Sequence, residues 1–131
     1  MDALGIEKVI LAGHSMGGAA ALLAATQIND VIGVIAFSVD ATLLNPERVL
    51  SEKEQSMLLE QGTVPFSSRG RNLMLTKDFF EDAGRYDLPG LVANIHCPVL
   101  LVYGNEDRMI DLDSGRKLKD ARPTGTEVFT V

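Results

Sequence analysis

The sequence is short of cysteine: Cys97 is the only one in 131 residues, so no internal disulfide can form. That is consistent with a reducing compartment, and the chain reads as cytoplasmic. Cys97 itself, ahead of Pro98 at a strand entrance, reads as a small semi-buried residue. Basic residues are outnumbered, 12 Lys and Arg against 18 Asp and Glu. The resulting net charge of −6 argues against a nucleic-acid surface. No run is long and apolar enough to span a membrane. Met1-Asp2-Ala3-Leu4-Gly5 has neither the basic region nor the apolar core of a signal peptide. There is no low-complexity segment and no internal repeat. Neither G-x-x-x-x-G-K-[ST] nor G-x-G-x-x-G occurs, so the common glycine-rich phosphate cradles are excluded. Nothing in the sequence implies a metal or an organic cofactor.

Four apolar runs are present: Val9 to Ala12, Val31 to Phe37, Pro98 to Gly104 and Glu127 to Val131. The first two are continuous and rich in β-branched residues, as expected of parallel strands covered on both faces. Ala3 to Glu7 reads as the end of a helix. Ser15 to about Ile28 reads as a helix whose many alanines let it approach a sheet closely. Asn45-Pro46 is an N-cap with proline at the first helical position, starting a helix to about Gln61 that Gly62 stops. Thr63 to Arg71 reads as a loop, Asn72 to Leu75 as a short strand. Thr76 caps a helix to about Tyr86, and Leu112 to about Lys119 is a further helix. Alternation of strands and helices implies right-handed crossovers and four parallel strands in chain order, the first on an edge.

One stretch carries chemistry. Gly13-His14-Ser15-Met16-Gly17-Gly18 lies between the first strand and the alanine-rich helix. A serine at so tight a strand-to-helix turn takes a strained backbone and lifts its hydroxyl above the sheet. The glycines two positions either side leave room for neighbouring backbone. The Met16 N–H, at the start of the helix, can stabilise a developing oxyanion.

This hexapeptide in this context resembles the nucleophile elbow of the α/β-hydrolase superfamily, in its serine esterase, lipase and serine-aminopeptidase-like branch. Phe79-Phe80-Glu81-Asp82, Tyr86-Asp87 and Ile95-His96-Cys97-Pro98-Val99 resemble the feruloyl/cinnamoyl-esterase-like group. The resemblance implies a serine–acid–histidine triad in that chain order. A complete fold of that family needs about twice this length. The chain therefore reads as its C-terminal portion, truncated, with a core at 1–39 and 95–131 and a helical cap insertion at about 40–94. Ser15 takes the nucleophile's place, Met16 one oxyanion-hole position. Asp107, in Gly104-x-x-Asp107-x-x-Ile110 after the third strand, matches the triad acid. Glu106 and Asp111 compete for that role, and Asp40, after the second strand, is a position used in some relatives.

The base is what the sequence lacks. The family's histidine follows the last strand, which here runs into Val131. His14, inside the elbow, is expected to point to the other side of the turn, and His96 to lie at the opposite end of the sheet. Both read as structural. The second oxyanion donor comes, in relatives, from a loop after an earlier strand. Met16, Leu73, Met74, Phe79 and Phe80 line an apolar acyl pocket or belong to the core of the insertion.

Two functions follow. The first is a serine hydrolase acting on small carboxylic esters through an acyl-enzyme, with the isolated chain inactive or weakly active. The second is a non-catalytic fragment or pseudoenzyme acting in protein interaction, with the exposed edge of the first strand as a surface for self-association.

Overall fold

The computed structural model describes residues 5–42, 45–68 and 70–131. The helix end expected over Ala3 to Glu7 lies partly outside them. The chain divides into two compact units, Met1–Leu43 with Asp87–Val131, and Leu44–Tyr86.

In the first unit the strands are β1 (Val9–His14), β2 (Val31–Phe37), β5 (Val99–Tyr103) and β6 (Thr126–Thr130). They form one sheet in the order β1-β2-β5-β6. Every neighbouring pair is parallel, and β1 is an edge. The expected architecture is borne out. Helices α1 (Met16–Ala25), α5 (Leu88–Ala93) and α6 (Leu112–Ala121) make one layer. Helix α1 packs on β1 and β2, α6 on β5 and β6, and α5 touches both helices. Leu22, Val34, Ala36, Leu101 and Leu118 sit in the core between layer and sheet. Sequence analysis did not pick out α5, where Pro89 at the first turn and six residues in all leave no visible period.

Within these 131 residues the helices cover one face of the sheet: burial alternates along β1, and Ile10 is 60% exposed. The strands step across the sheet in a single direction, and crossovers of one hand then put every connecting helix on the same face.

In the second unit, α2 (Pro46–Val49) and α3 (Glu52–Gln61) replace the single helix expected over Pro46 to Gln61. Leu50 is extended, and Ser51 opens α3 with a capping box to Glu54. Gly62 ends α3 in the left-handed conformation, φ 73°, as its position predicts. The expected loop from Thr63 is instead β3 (Thr63–Ser68), antiparallel to β4 (Arg71–Thr76). Pro65 within the run obscured it; an edge strand tolerates proline. The Thr76 hydroxyl accepts from the Phe79 N–H and starts α4 (Lys77–Ala83). Leu50, Leu58, Val64 and Phe80 are this unit's core.

Tyr103 ties the first unit together. Its hydroxyl donates to the Val39 carbonyl at 2.9 Å, which pins the end of β5 to the chain leaving β2. Burial, then the charges of Asp40 and Asp111, push its pKa well up. A Cβ on Gly115 of α6 would stand 2.5 Å from Tyr103 Cε2. Gly115→Ala should therefore destabilise the chain by about 1–2 kcal/mol in urea unfolding: overpacking of about 1–3 kcal/mol outweighs roughly 1 kcal/mol of helix propensity. An unchanged or raised midpoint would show that the ring moves aside freely.

Candidate active site

Strand β1 delivers Ser15 to the C-terminal edge of the sheet. The Ser15 N–H donates to the Phe37 carbonyl at 2.8 Å, so the ladder with β2 holds the turn up to the serine itself. Ser15 then adopts φ 54°, ψ −123°, outside the regions open to most side chains. Such a residue costs of order 1–3 kcal/mol, and it persists only where its surroundings enforce it. Two crowded glycines show what does. A Cβ on Gly13 would stand 2.2 Å from the Gly17 carbonyl oxygen, and one on Gly18 would stand 2.5 Å from Val39 Cγ2. Strand and helix meet here with no room for a methyl group.

The serine is also the N-cap of α1. Serine is favoured at that position because its oxygen accepts a first-turn N–H. Ser15 makes no such capping bond. Its backbone serves the helix instead, its carbonyl accepting from Gly18 and Ala19 at 2.9 and 3.1 Å. The hydroxyl is exposed and held off the helix end. Met16, the first residue of α1, is 55% exposed. Its N–H belongs to the first turn, whose donors have no acceptor four residues back within the helix.

Strand β5 runs parallel to β1 through β2, so the turn after Tyr103 lies on the same edge as Ser15. Asp107 is in that turn. Its Oδ1 accepts from the Met109 and Ile110 N–H groups at 3.0 and 3.1 Å. The Ile110 N–H is the main cause that holds its carboxyl below the usual range, partial burial opposes it, and the Met109 N–H, the Ser38 hydroxyl and the His14 charge add to it. His14 is itself exposed. Two of the competing acids, Asp40 and Asp111, are engaged elsewhere. The Asp40 carboxylate accepts from the Thr42 N–H and hydroxyl at 2.9 and 2.7 Å. Asp111 caps α6 through the Ser114 N–H at 3.2 Å. Glu106 is exposed. His96 precedes β5, at the opposite edge from Ser15. Phe80 is core of its own unit and Phe79 packs against it, while Leu73 and Met74 are exposed.

Among the described residues, no three or more His, Cys, Asp or Glu side chains are grouped to hold a metal. No described helix is long and apolar enough to cross a membrane.

No protein-family model matches the chain. Among curated proteins, the 2-hydroxy-6-oxo-6-phenylhexa-2,4-dienoate hydrolase of Burkholderia cepacia is 28% identical over 151 aligned positions, covering 90% of this chain and 53% of its own. Among solved structures, α/β hydrolase domain-containing protein 10 from mouse superposes with a TM-score of 0.74 at 24% identity, over 98% of this chain and 56% of its own. The chain carries the α/β-hydrolase fold. The esterase domain of a Rhodothermus marinus protein is a second neighbour of that fold, with a TM-score of 0.67, 24% identity, and coverage of 92% of this chain and 49% of its own. The chain thus spans about half the length of the α/β hydrolases it matches.

Within this half of an α/β-hydrolase fold, one residue was placed by sequence analysis at the ligand-binding end of β2 but given no role of its own. Ser38 follows β2 directly and has φ 45°, the only non-glycine besides Ser15 with positive φ among the described residues. Its N–H donates to the Val102 carbonyl at 2.9 Å, and its side chain is among the lesser influences that hold the Asp107 carboxyl low. No motif marks it. The available signal was its position, the first residue beyond a strand at the edge where open α/β sheets bind ligands.

The lowered Asp107 pKa has a sign that can be measured. A carboxylate depressed on folding contributes stability that is fully present above its unfolded pKa, about 3.9. That contribution is lost as pH falls through the folded value below it. Asp107→Asn should therefore flatten the acid side of the stability profile below about pH 4 and leave its neutral part the same shape. An acid limb identical in wild type and variant would show that the Asp107 carboxylate gains nothing on folding.

Proposed function

We propose that this chain supplies the nucleophile and the acid of a serine hydrolase that acts on small carboxylic esters through an acyl-enzyme. Ser15 attacks the acyl carbon, the Met16 N–H receives part of the oxyanion's charge, and Asp107 orients a histidine base and stabilises its imidazolium. Water then resolves the acyl-enzyme. The observation that carries the reading is the state of Ser15: a strained, exposed N-cap serine whose hydroxyl is not used to cap its helix. A purely structural serine at that position would gain by capping. The hydrolase names of the relatives support the class of reaction. Carboxylic esters are favoured by the name of the esterase domain and by the elbow's wording.

The histidine base is proposed to come from outside these 131 residues, as is the second oxyanion donor. A fluorophosphonate probe should label the 131-residue chain weakly. It should label Ser15 strongly in a longer α/β-hydrolase chain that contains these residues, and Ser15→Ala should remove the label. Labelling that is indifferent to Ser15→Ala would overturn the reading. Strong Ser15-dependent ester turnover by the 131 residues alone would place the base within them, with His14 the first to be substituted.

A non-catalytic role is favoured by a different observation. The sequence has two histidines; His96 lies at the wrong edge and His14 directly precedes Ser15. That role is separated from the first by the same probe, which would label neither the short nor the longer chain.

A further inference from the structure

Strand order puts Ser38 between the serine and the acid. In β1-β2-β5 the middle strand is β2, and the register pairs His14 with Phe37 and Phe37 with Val102. The chain therefore leaves these strands, on one edge, at Ser15, at Ser38 and at the turn after Tyr103 that carries Asp107. Neighbouring strands lie about 4.8 Å apart. A group that bridges Ser15 and Asp107 has to cross above Ser38.

Ser38 also holds a backbone that its residue type does not favour. Glycine takes up a positive φ at no steric cost, and asparagine does so more readily than serine. Ser38 has φ 45°. Such a residue persists where its surroundings over-determine it, and residues of this kind cluster at functional sites. The surroundings here are the last two residues of β5. The Ser38 N–H donates to the Val102 carbonyl at 2.9 Å. The Val39 carbonyl, next along the chain, accepts from the Tyr103 hydroxyl at 2.9 Å. Val39 is fully buried, and a Cβ on Gly18 would stand 2.5 Å from its Cγ2, so the segment cannot move toward α1. Val102 and Tyr103 lead straight into the turn of Asp107. One short piece of β5 thus fixes Ser38 and delivers the acid.

We propose that Ser38 is a positioning residue for Asp107, its hydroxyl donating to the carboxylate from the side of β2. The inference rests on the reading of Asp107 as the acid of the triad. The Met109 and Ile110 N–H groups both belong to Asp107's own turn, and both fall on Oδ1. A donor from β2 ties the carboxylate to the sheet that carries Ser15. Ser38 and Asp107 are both half-buried, where a hydrogen bond to a carboxylate is less weakened by water than on the open surface. The electrostatics of the acid agree. The Ile110 N–H is the main cause that holds its carboxyl low, burial opposes it, and the Met109 N–H and the Ser38 side chain add to it.

Two substitutions separate the hydroxyl from the backbone. Ser38→Gly removes the hydroxyl and relieves the positive φ, whereas Ser38→Ala removes the hydroxyl and keeps the strain. In a longer α/β-hydrolase chain that contains these residues, both should lower kcat for an activated ester by about 10-fold with KM nearly unchanged. Only Ser38→Gly should hold or raise the urea midpoint, so the loss of activity will not follow stability. In the 131-residue chain, carboxyl NMR should show the Asp107 pKa higher in both variants than in wild type. A role confined to the backbone predicts the opposite pattern: Ser38→Gly keeps the wild-type kcat. That result overturns the proposal, as does an Asp107 pKa that Ser38→Gly leaves unmoved. Asp107→Asn, assayed alongside, distinguishes the two failures. A loss below about tenfold there removes Asp107 as the acid and the role of Ser38 with it. A full loss there beside an undiminished Ser38→Gly overturns Ser38 alone.

Discussion

In an assembly in which these residues turn over an activated ester, Asp107→Asn should lower kcat by about 10⁴-fold, the factor found for the equivalent change in a serine protease. The geometry makes the substitution a clean one. An asparagine Oδ1 can still accept the Met109 and Ile110 N–H groups, so the turn after β5 keeps its shape. What changes is the other end of the side chain. An amide NH₂ would face the imidazole where a carboxylate oxygen should be. The ring must then present the wrong tautomer to Ser15, and the imidazolium that forms on proton transfer has no counter-charge. Binding is untouched by this argument, so KM should move little. Asp40→Asn should cost less than about tenfold, because that carboxylate is already committed to Thr42. A loss below tenfold at Asp107, or a larger one at Asp40, would transfer the acid's role.

Gly13→Ala should be the most damaging small substitution in the chain, lowering stability by more than about 3 kcal/mol or abolishing folding. Its Cβ would meet the Gly17 carbonyl oxygen at 2.2 Å, the Gly17 carbonyl carbon at 2.4 Å and the Gly18 nitrogen at 2.7 Å. All three are backbone atoms of the first turn of α1, and none can rotate away as a side chain can. Relief requires the helix to move off the strand, which would separate Leu22 and Ala19 from the sheet core. Gly17→Ala provides the contrast. A Cβ there meets nothing within 4 Å. It should be neutral or stabilising by up to about 1 kcal/mol, since alanine is the better helix former. Equal damage at both positions in urea unfolding would mean that the crowding at Gly13 is relieved by a movement that the static geometry does not show.

That pair of glycines also marks where reading the sequence stops. The pattern G-x-S-x-G gives Gly13 and Gly17 equal weight, yet the close packing falls on Gly13 and Gly18. Spacing alone cannot report which Cβ direction faces the neighbouring element. The four parallel strands and their order were legible, because continuous apolar runs separated by helical stretches admit few topologies. The strained serine was legible too, since a strand, a glycine-flanked serine and a helix leave it little choice of backbone. The β3–β4 hairpin was hidden by Pro65 and by its polar end, and the break between α2 and α3 by an otherwise unbroken helical composition. The place of Ser38 at the end of β2 was legible, but its strained backbone was not, for a different reason. It depends on a ladder bond to Val102, far along the chain, that no local pattern encodes.

The bonds from Ser15 to Phe37 and from Ser38 to Val102 join three strands in series at the edge where the candidate site lies. They also set an order in time. During synthesis the elbow leaves the ribosome ahead of β5, which emerges only after the whole of the second unit has been made. At roughly 5–20 residues per second, that delay is about 4 to 18 seconds. Until β5 docks, β2 has no partner on its far side, Ser38 has nothing to enforce its backbone, and Asp107 does not yet exist. The Ser15 turn can form early, but the edge it shares with Asp107 is completed late, so a nascent chain passes through a period in which it carries the serine without the acid.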